Sequence, residues 1–263
     1  MYEFDYAKAN SVDEALDKLK AAEDGKILAG GMTLIPTLKQ RLAMPSDLID
    51  LGGVEGLAGI SVDGSTVTIG AMTPHAVVAA SEDVQKAIPA LAVLAGGIGD
   101  PAVRHRGTIG GSVANADPAA DYPAGVLGLN ATVITNEREI AADDFFVDLF
   151  ETALGEEEII KAVRFPIPDR AGYIKFPNPA SGYAVVGVMV AKFGSDVRVA
   201  VTGAGGFAFR VAEMEAALAA DFSEDAVANI SIPDDDLNTD IHASAEYRAH
   251  LVTVMAKRAV ARA

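Results

Sequence analysis

Apolar positions in the first part of the chain recur with two different periods. In "SVDEALDKLKAA", Val12, Ala15, Leu16 and Leu19 repeat at three- and four-residue steps, and Ser11 with Glu14 makes a Ser-x-x-Glu capping box. A helix is therefore predicted after the short strand of "YEFDYAKA". "KILAGG" reads as a strand running into a glycine pair. "MTLIPTLKQRL" reads as a helix with Thr33 as its N-cap and Pro36 in its first turn, and "DLIDL" as another strand. This unit alternates strand and helix.

From about residue 57 the texture changes. "LAGISVDGSTVTIGA" predicts a hairpin around Asp63-Gly64. "TPHAVVAASEDVQKAIPALAVLAGGIG" has helical spacing, interrupted at Pro89 and at Gly96-Gly97. In "ADPAADYPAGVL", Asp117 is predicted as an N-cap and Pro118 as the first helical residue. "ATVITNEREIAADDFF" returns to strands, and "TALGEEEIIKAVRFPIP" closes the section with a loop, a strand and proline punctuation. A third section begins near Tyr173. "GYAVVGVMVAKF" and "VRVAVTG" predict strands, and "RVAEMEAALAA" and "SAEYRAHLVTVMAKRAVARA" predict helices, so a separate α+β lobe is expected.

Composition narrows the chemistry. Half of the 263 residues are apolar, enough for one or two substantial cores. There is no cysteine, which excludes disulfides, thiolate catalysis, cysteine-ligated zinc and an iron–sulfur cluster held by this chain. The net charge of −16 is spread along the sequence and disfavours nucleic acid. An anionic ligand must then be held by local dipoles and not by a basic field. No apolar run approaches the roughly 18–20 residues of a membrane span. Residues 1–20 lack a basic segment followed by an apolar core, and the expected compartment is the cytoplasm.

Three places bring a strand into glycines: Ala29-Gly30-Gly31, Thr108-Ile109-Gly110-Gly111 and Gly203-Ala204-Gly205-Gly206. Each is open to a bland reading as a tight turn. The third matches G-x-G-x-x-A, but no second βα unit with a ribose-binding acid follows it, so a strand-to-helix turn is the better reading. The first two work as a pair. Glycines let backbone N–H groups approach a ligand, and two neutral cradles could hold the two phosphates of a dinucleotide without Lys or Arg. Asn115 and Asp121 add groups suited to ribose or ribityl hydroxyls. No Walker pattern occurs.

"LAGGMTLIPTLKQRLAMPSDLIDL", "RGTIGGSVANADPAADYPA" and "KFPNPASGYAVVGVMVA" closely resemble the FAD-binding medium subunit of molybdenum hydroxylases, particularly the carbon monoxide dehydrogenase type, over nearly the whole chain. The resemblance implies an α+β, vanillyl-alcohol-oxidase-type (PCMH-type) FAD-binding fold. Residues 1–55 and 56–170 would be its two subdomains, and residues 171–263 a C-terminal α+β domain. It implies that the FAD pyrophosphate lies on backbone N–H groups of both glycine motifs. Those are Ala29, Gly30, Gly31, Met32 and Thr33, and Thr108, Ile109, Gly110 and Gly111, with Ser112 alongside. Asp121 would meet FAD hydroxyls, Asp117 would support the loop, and Lys175 and Tyr183 would approach the isoalloxazine. The sequence departs from many relatives at Ser112 (commonly Asn), Gly182 (commonly Asp or Arg) and Asp148 (commonly Gly).

What the resemblance implies for function is an electron-transfer oxidoreductase subunit. Substrate would be oxidised at a molybdenum cofactor in a large subunit, and electrons would pass through iron–sulfur clusters of a small subunit to FAD held here. A dimer of heterotrimers is expected. Two other readings stay open from the residues alone: a self-contained FAD oxidoreductase of the same fold, and a non-redox nucleotide-binding or scaffold protein. Among the remaining residues, His75 is read either as a flavin neighbour or as a surface histidine opening a helix. Arg104, His105 and Arg106 form a basic cluster with a phosphate, a partner or solvent as its counterpart. His242 and His250 are read as structural, and Glu156-Glu157-Glu158 as a solvated turn.

Overall fold

The computed structural model describes residues 1–263. Its first layer contains β1 (Asp5–Lys8), α1 (Val12–Ala21), β2 (Gly25–Leu28), α2 (Leu34–Lys39) and β3 (Asp47–Asp50), with a parallel sheet in the order β1-β3-β2. The predicted cap of α1 is present: Ser11 Oγ accepts from the Glu14 N–H at 3.0 Å, and the Glu14 carboxylate accepts from the Asn10 N–H at 2.9 Å. Thr33 occupies the N-cap position of α2, but its hydroxyl caps nothing.

The second section is an antiparallel sheet with a helical insertion. The expected hairpin of β4 (Ile60–Asp63) and β5 (Thr66–Gly70) is present, with Gly64-Ser65 as its two turn residues and Asp63 paired with Thr66. Six helices follow: α3 (His75–Ala80), α4 (Glu82–Ala87), α5 (Pro89–Gly96), α6 (Pro101–Arg106), α7 (Ile109–Asn115) and α8 (Asp121–Gly128). Then come β6 (Thr132–Thr135), β7 (Glu139–Ala141), the small hairpin β8 (Phe146–Asp148) and β9 (Glu151–Thr152), and β10 (Ile160–Pro166). The sheet order is β4-β5-β10-β6-β7, so β10 closes the section by returning beside β5.

The third sheet is built from β11 (Arg170–Pro177), β12 (Ala184–Phe193), β13 (Asp196–Thr202) and β14 (Phe209–Arg210), antiparallel in that order. The helices α9 (Ala212–Ala220), α10 (Glu224–Val227) and α11 (Ala245–Val260) complete the chain. Both faces of β12 and β13 are buried. Val188, Val190, Val199 and Val201 pack with Met214, Leu218, Val252 and Met255 of α9 and α11. The alternate residues Met189, Ala191 and Ala200 join Leu94, Tyr122 and Leu127 in the core of the second section. That is why "AVVGVMVA" reads as an unbroken apolar run and not as an alternating one. The expected separate lobe is thus a sheet that serves two cores. Helix α8 lies close on it: a Cβ at Gly128 would sit 2.6 Å from Met189 Cγ.

Gly172 of β11 lets α11 close over the same sheet, since a Cβ there would meet the Ala259 carbonyl oxygen at 2.0 Å. Gly172→Ala is expected to cost about 1–3 kcal/mol by overpacking and to lower Tm by roughly 2–12 °C in a thermal unfolding experiment. Gly194→Ala is the comparison: its φ is +61° but nothing lies within 4 Å, so it should cost only about 1 kcal/mol.

A cleft between two glycine motifs

The two glycine motifs face each other. A Cβ at Gly30 would sit 2.0 Å from the Arg106 carbonyl oxygen, and one at Gly111 would sit 3.4 Å from Ala29 Cβ. Between and beside them lies a cleft of about 530 Å³, within the usual range for a small-molecule site. Of the residues singled out in the sequence, Ala29, Gly30, Gly31, Met32, Thr33, Thr108, Gly110, Gly111, Ser112, Asn115, Asp117, Asp121 and Tyr183 line it. Ile109 and Lys175 do not.

The motifs differ in what their N–H groups are free to do. Ala29 to Thr33 connect β2 to α2, and none of their N–H groups donates to an acceptor in the chain. In the second motif three of the four donors are engaged, all but Thr108 N–H. Ile109 N–H bonds the Thr73 carbonyl (3.2 Å), Gly110 N–H the Ala71 carbonyl (2.8 Å), and Gly111 N–H the Thr108 hydroxyl (3.2 Å). Gly110-Gly111 are therefore not a loop. They form the first turn of α7, capped by Thr108, and Gly110 is needed because a Cβ would meet Ala71 Cβ at 2.5 Å. Ile109 points into the core and is fully buried.

The expected helix start at Asp117 is also corrected. Helix α8 begins at Asp121, and Asp117 instead holds a turn by accepting from the Ala119 N–H at 2.9 Å. The carbonyls of Pro118, Ala119 and Ala120 accept from the third sheet, and Ala120 is held extended (ψ 150°), so the helix starts only at Asp121. Burial pushes the Asp117 carboxyl up, against the lowering effect of the Ala119 N–H. Helix α7 ends at Ala116, whose φ of +46° puts the chain in the left-handed region.

Asp121 and Lys175, expected to reach the cofactor separately, are paired with each other. Lys175 Nζ lies 2.9 Å from Asp121 Oδ1 and also donates to the carbonyls of Gly97 (2.8 Å) and Gly182 (2.7 Å). The Tyr173 hydroxyl donates to Asp121 at 2.5 Å. Burial raises the Asp121 carboxyl, and Lys175 and Tyr173 pull it back toward the charged form. Gly182 has a φ of +75°, so the acidic or basic residue common there would be strained in this backbone. Next to it Tyr183 reaches across the cleft. Its hydroxyl is raised first by burial and then by Asp117, and lowered by the nearby Thr33 side chain of the opposite motif.

His75 is not on the surface. It is 4% exposed, lines the cleft, and stacks at a tilt with Tyr122, ring centroids 5.4 Å apart. Its Nδ1 and the Tyr122 hydroxyl are both buried without a hydrogen-bond partner. Arg104 holds the carbonyls of Ile98 and Gly99 at 2.9 Å. Glu158 corrects the reading of the acidic run: it is buried, bonded by Arg138, Thr135 and the Gly155 N–H, and held down to about 2 chiefly by Arg138. His242 and His250 are exposed. Sequence reasoning missed Glu158, Ile159 and Ile160 along the cleft; only their apolar, strand-like setting was visible.

Comparison with known proteins follows this geometry. Residues 2–168 match the family described as "FAD binding domain in molybdopterin dehydrogenase", and the chain belongs to that family. The nicotine 6-hydroxylase medium subunit of Paenarthrobacter nicotinovorans is 38% identical over 272 residues, covering 98% of this chain and 96% of that one. The carbon monoxide dehydrogenase medium chain of Hydrogenophaga pseudoflava is 35% identical, covering 98% and 96%. The solved structure of carbon monoxide dehydrogenase from the same organism superposes with a TM-score of 0.88 over 99% of this chain and 97% of that one, at 35% identity. Quinoline 2-oxidoreductase from Pseudomonas putida 86 gives 0.89 at 28% identity, covering 99% and 96%. The carbon monoxide dehydrogenase likeness read from the sequence is borne out at the level of family and fold, and FAD is the cofactor that family binds.

Burial, and secondarily Arg104, lowers the His75 imidazole to about 4, so it is neutral at pH 7. A depressed histidine contributes stability above its unfolded value of 6.5 and loses it as pH falls through the folded value. Between pH 7 and 4.5 the wild type should lose up to about 2.5 kcal/mol that His75→Gln does not. Urea unfolding of both proteins at the two pH values checks this; parallel losses would show that His75 does not carry the effect.

Proposed function

We propose that this chain is the FAD-carrying medium subunit of a multisubunit molybdenum hydroxylase, receiving electrons that originate at a partner's molybdenum centre. The observation that carries the reading is the run of unengaged N–H groups from Ala29 to Thr33, set against Thr108 and Gly111 across a cleft. In a chain of net charge −16, such dipoles can hold a pyrophosphate without a basic field; Lys26, paired with Asp24, is the one lysine or arginine lining the cleft. The donor set therefore fits FAD, with the first motif as main cradle and the second as the opposing wall. When bound, FAD supplies the redox chemistry; the protein binds it, orients it and limits water.

Ser112 and Asn115 extend the wall toward ribityl hydroxyls, and Tyr183, near Thr33, borders the ring end. Asp121 and Lys175 act from behind as a charge pair that fixes Gly97 and Gly182. His75 offers a neutral imidazole at the same end. With no cysteine, the chain leaves iron–sulfur ligation to a small subunit and the molybdenum cofactor to a large one, in a dimer of heterotrimers in the cytoplasm. No helix is long and apolar enough to cross a membrane. Relatives of this fold are named for nicotine, carbon monoxide, glyceraldehyde and caffeine, which supports placing substrate choice outside this subunit.

The test is an equilibrium FAD titration of the complex co-purified with this chain and stripped of flavin. A Cβ at Gly111 would lie 3.0 Å from Thr108 Oγ1 and face Ala29, so Gly111→Val should narrow the cleft. Saturable binding by wild type, weakened at least about tenfold in a variant with wild-type circular dichroism, is expected. Absence of binding by the folded wild-type complex would end this reading.

A further inference from the structure

We propose that Arg248, on α11 and outside the cleft, is a positioning residue for the cofactor site, acting through the ends of β12 and β13. Arg248 is 3% exposed and works as a fork. Its Nη1 donates to the carbonyls of Val185 (2.7 Å) and Gly203 (2.9 Å), and its Nη2 to Asp240 (2.7 Å). These bonds tie together the start of β12 and the residue just past β13. The same two strand ends grip the loop between α7 and α8 from their other side. Gly203 N–H bonds the Pro118 carbonyl at 2.7 Å, and Ala184 N–H the Ala119 carbonyl at 3.0 Å. Thr202 Oγ1 lies 2.9 Å from the Pro118 carbonyl and 2.6 Å from that of Ala120.

All three carbonyls of the 118–120 segment are thus held by residues of the third sheet. Asp117 and Asp121 flank that segment, and Tyr183 directly precedes Ala184; all three line the cleft. The contact also explains the glycine motif at 203–206, which resembles a dinucleotide fingerprint but serves another end. Gly203 has a φ of +84°, and a Cβ there would meet the carbonyl oxygens of Ala184 at 2.5 Å and Val185 at 2.8 Å. The glycine permits the crossing that puts its N–H on Pro118 and its carbonyl on Arg248.

A guanidinium can bridge two carbonyls and a carboxylate from one fixed plane, whereas an ammonium is a single point. Arg248→Lys keeps the charge and loses the bridge. Thr202→Val keeps the shape and removes the hydroxyl, whose single proton bonds the loop at the Ala120 or Pro118 carbonyl, and it serves if the arginine variant fails to fold. Leu218→Ala, in α9 on the far face of the sheet, removes core packing without touching this chain of bonds.

The proposal rests on the FAD reading above. FAD affinity and the visible circular dichroism of the bound flavin are measured on the stripped, co-purified complex, at a temperature where every variant is folded. Thr202→Val, and Arg248→Lys where folded, should bind FAD roughly tenfold more weakly with an altered flavin spectrum, while Leu218→Ala lowers Tm and leaves both readouts unchanged. Wild-type affinity and spectrum in Thr202→Val would overturn the proposal and leave the FAD reading standing. Equal weakening by Leu218→Ala would reduce the effect to general destabilisation and overturn it as well. Failure of the wild type to bind FAD takes down both readings at once.

Discussion

Asp121 is a carboxylate almost out of contact with water, and its pairing with Lys175 is the interaction on which the Tyr183 end of the cleft depends. Charges are not buried at this depth without compensation, because desolvation costs each ion several kcal/mol. Here the compensation is complete on the lysine side: Asp121 and the carbonyls of Gly97 and Gly182 take its protons. One ammonium thereby fixes the end of α5, the start of α8, strand β11 and the strap that carries Tyr183. A pair of this kind adds little net stability over well-packed apolar residues. Its removal on one side only is severe, and its geometry is specific.

The hydrogen-bond accounting divides the two glycine motifs by role. In the second motif the glycines are there for steric reasons, letting α7 approach the end of β5, and their N–H groups are used up in doing so. In the first motif the chain leaves β2 and does not bond to itself until α2. Unengaged N–H groups in series along a half-buried cleft form a set of donors ready for an anionic acceptor. A site that keeps them in the cleft is therefore organised for an acceptor, and the negative surface outside does not cancel that local field.

Much of this could be read from sequence because it is local. The capping box at Ser11, the hairpin signalled by Asp63-Gly64 and both glycine pairs depend on residues a few positions apart. Helix α7 was missed because "IGGSVAN" contains two poor helix formers, and tertiary contacts favour it: Ile109 and Val113 are buried in the core and Gly110 packs against Ala71; Thr108 was the one visible signal of its start. The start of α8 was misplaced because the loop before it is held by residues more than 60 positions away. The burial of His75, Glu158 and the Asp121–Lys175 pair is equally nonlocal, since each partner comes from another element. Strand β11, "RAGYIKFP", lacks regular alternation because it packs against helices on both sides.

The double-faced third sheet has a consequence for how the chain is made. The region that matches the family profile ends at residue 168, yet the core it belongs to is completed by Tyr173, Met189, Ala191 and Ala200. During synthesis, at about 5–20 residues per second, the faces of α5 and α8 emerge several seconds before the strands that cover them. The first 170 residues are thus a nascent chain with an open apolar flank, suited to holding by a chaperone and ill suited to life as an excised fragment. Maturation of the cofactor cleft falls late on that timetable, after β13 has left the ribosome.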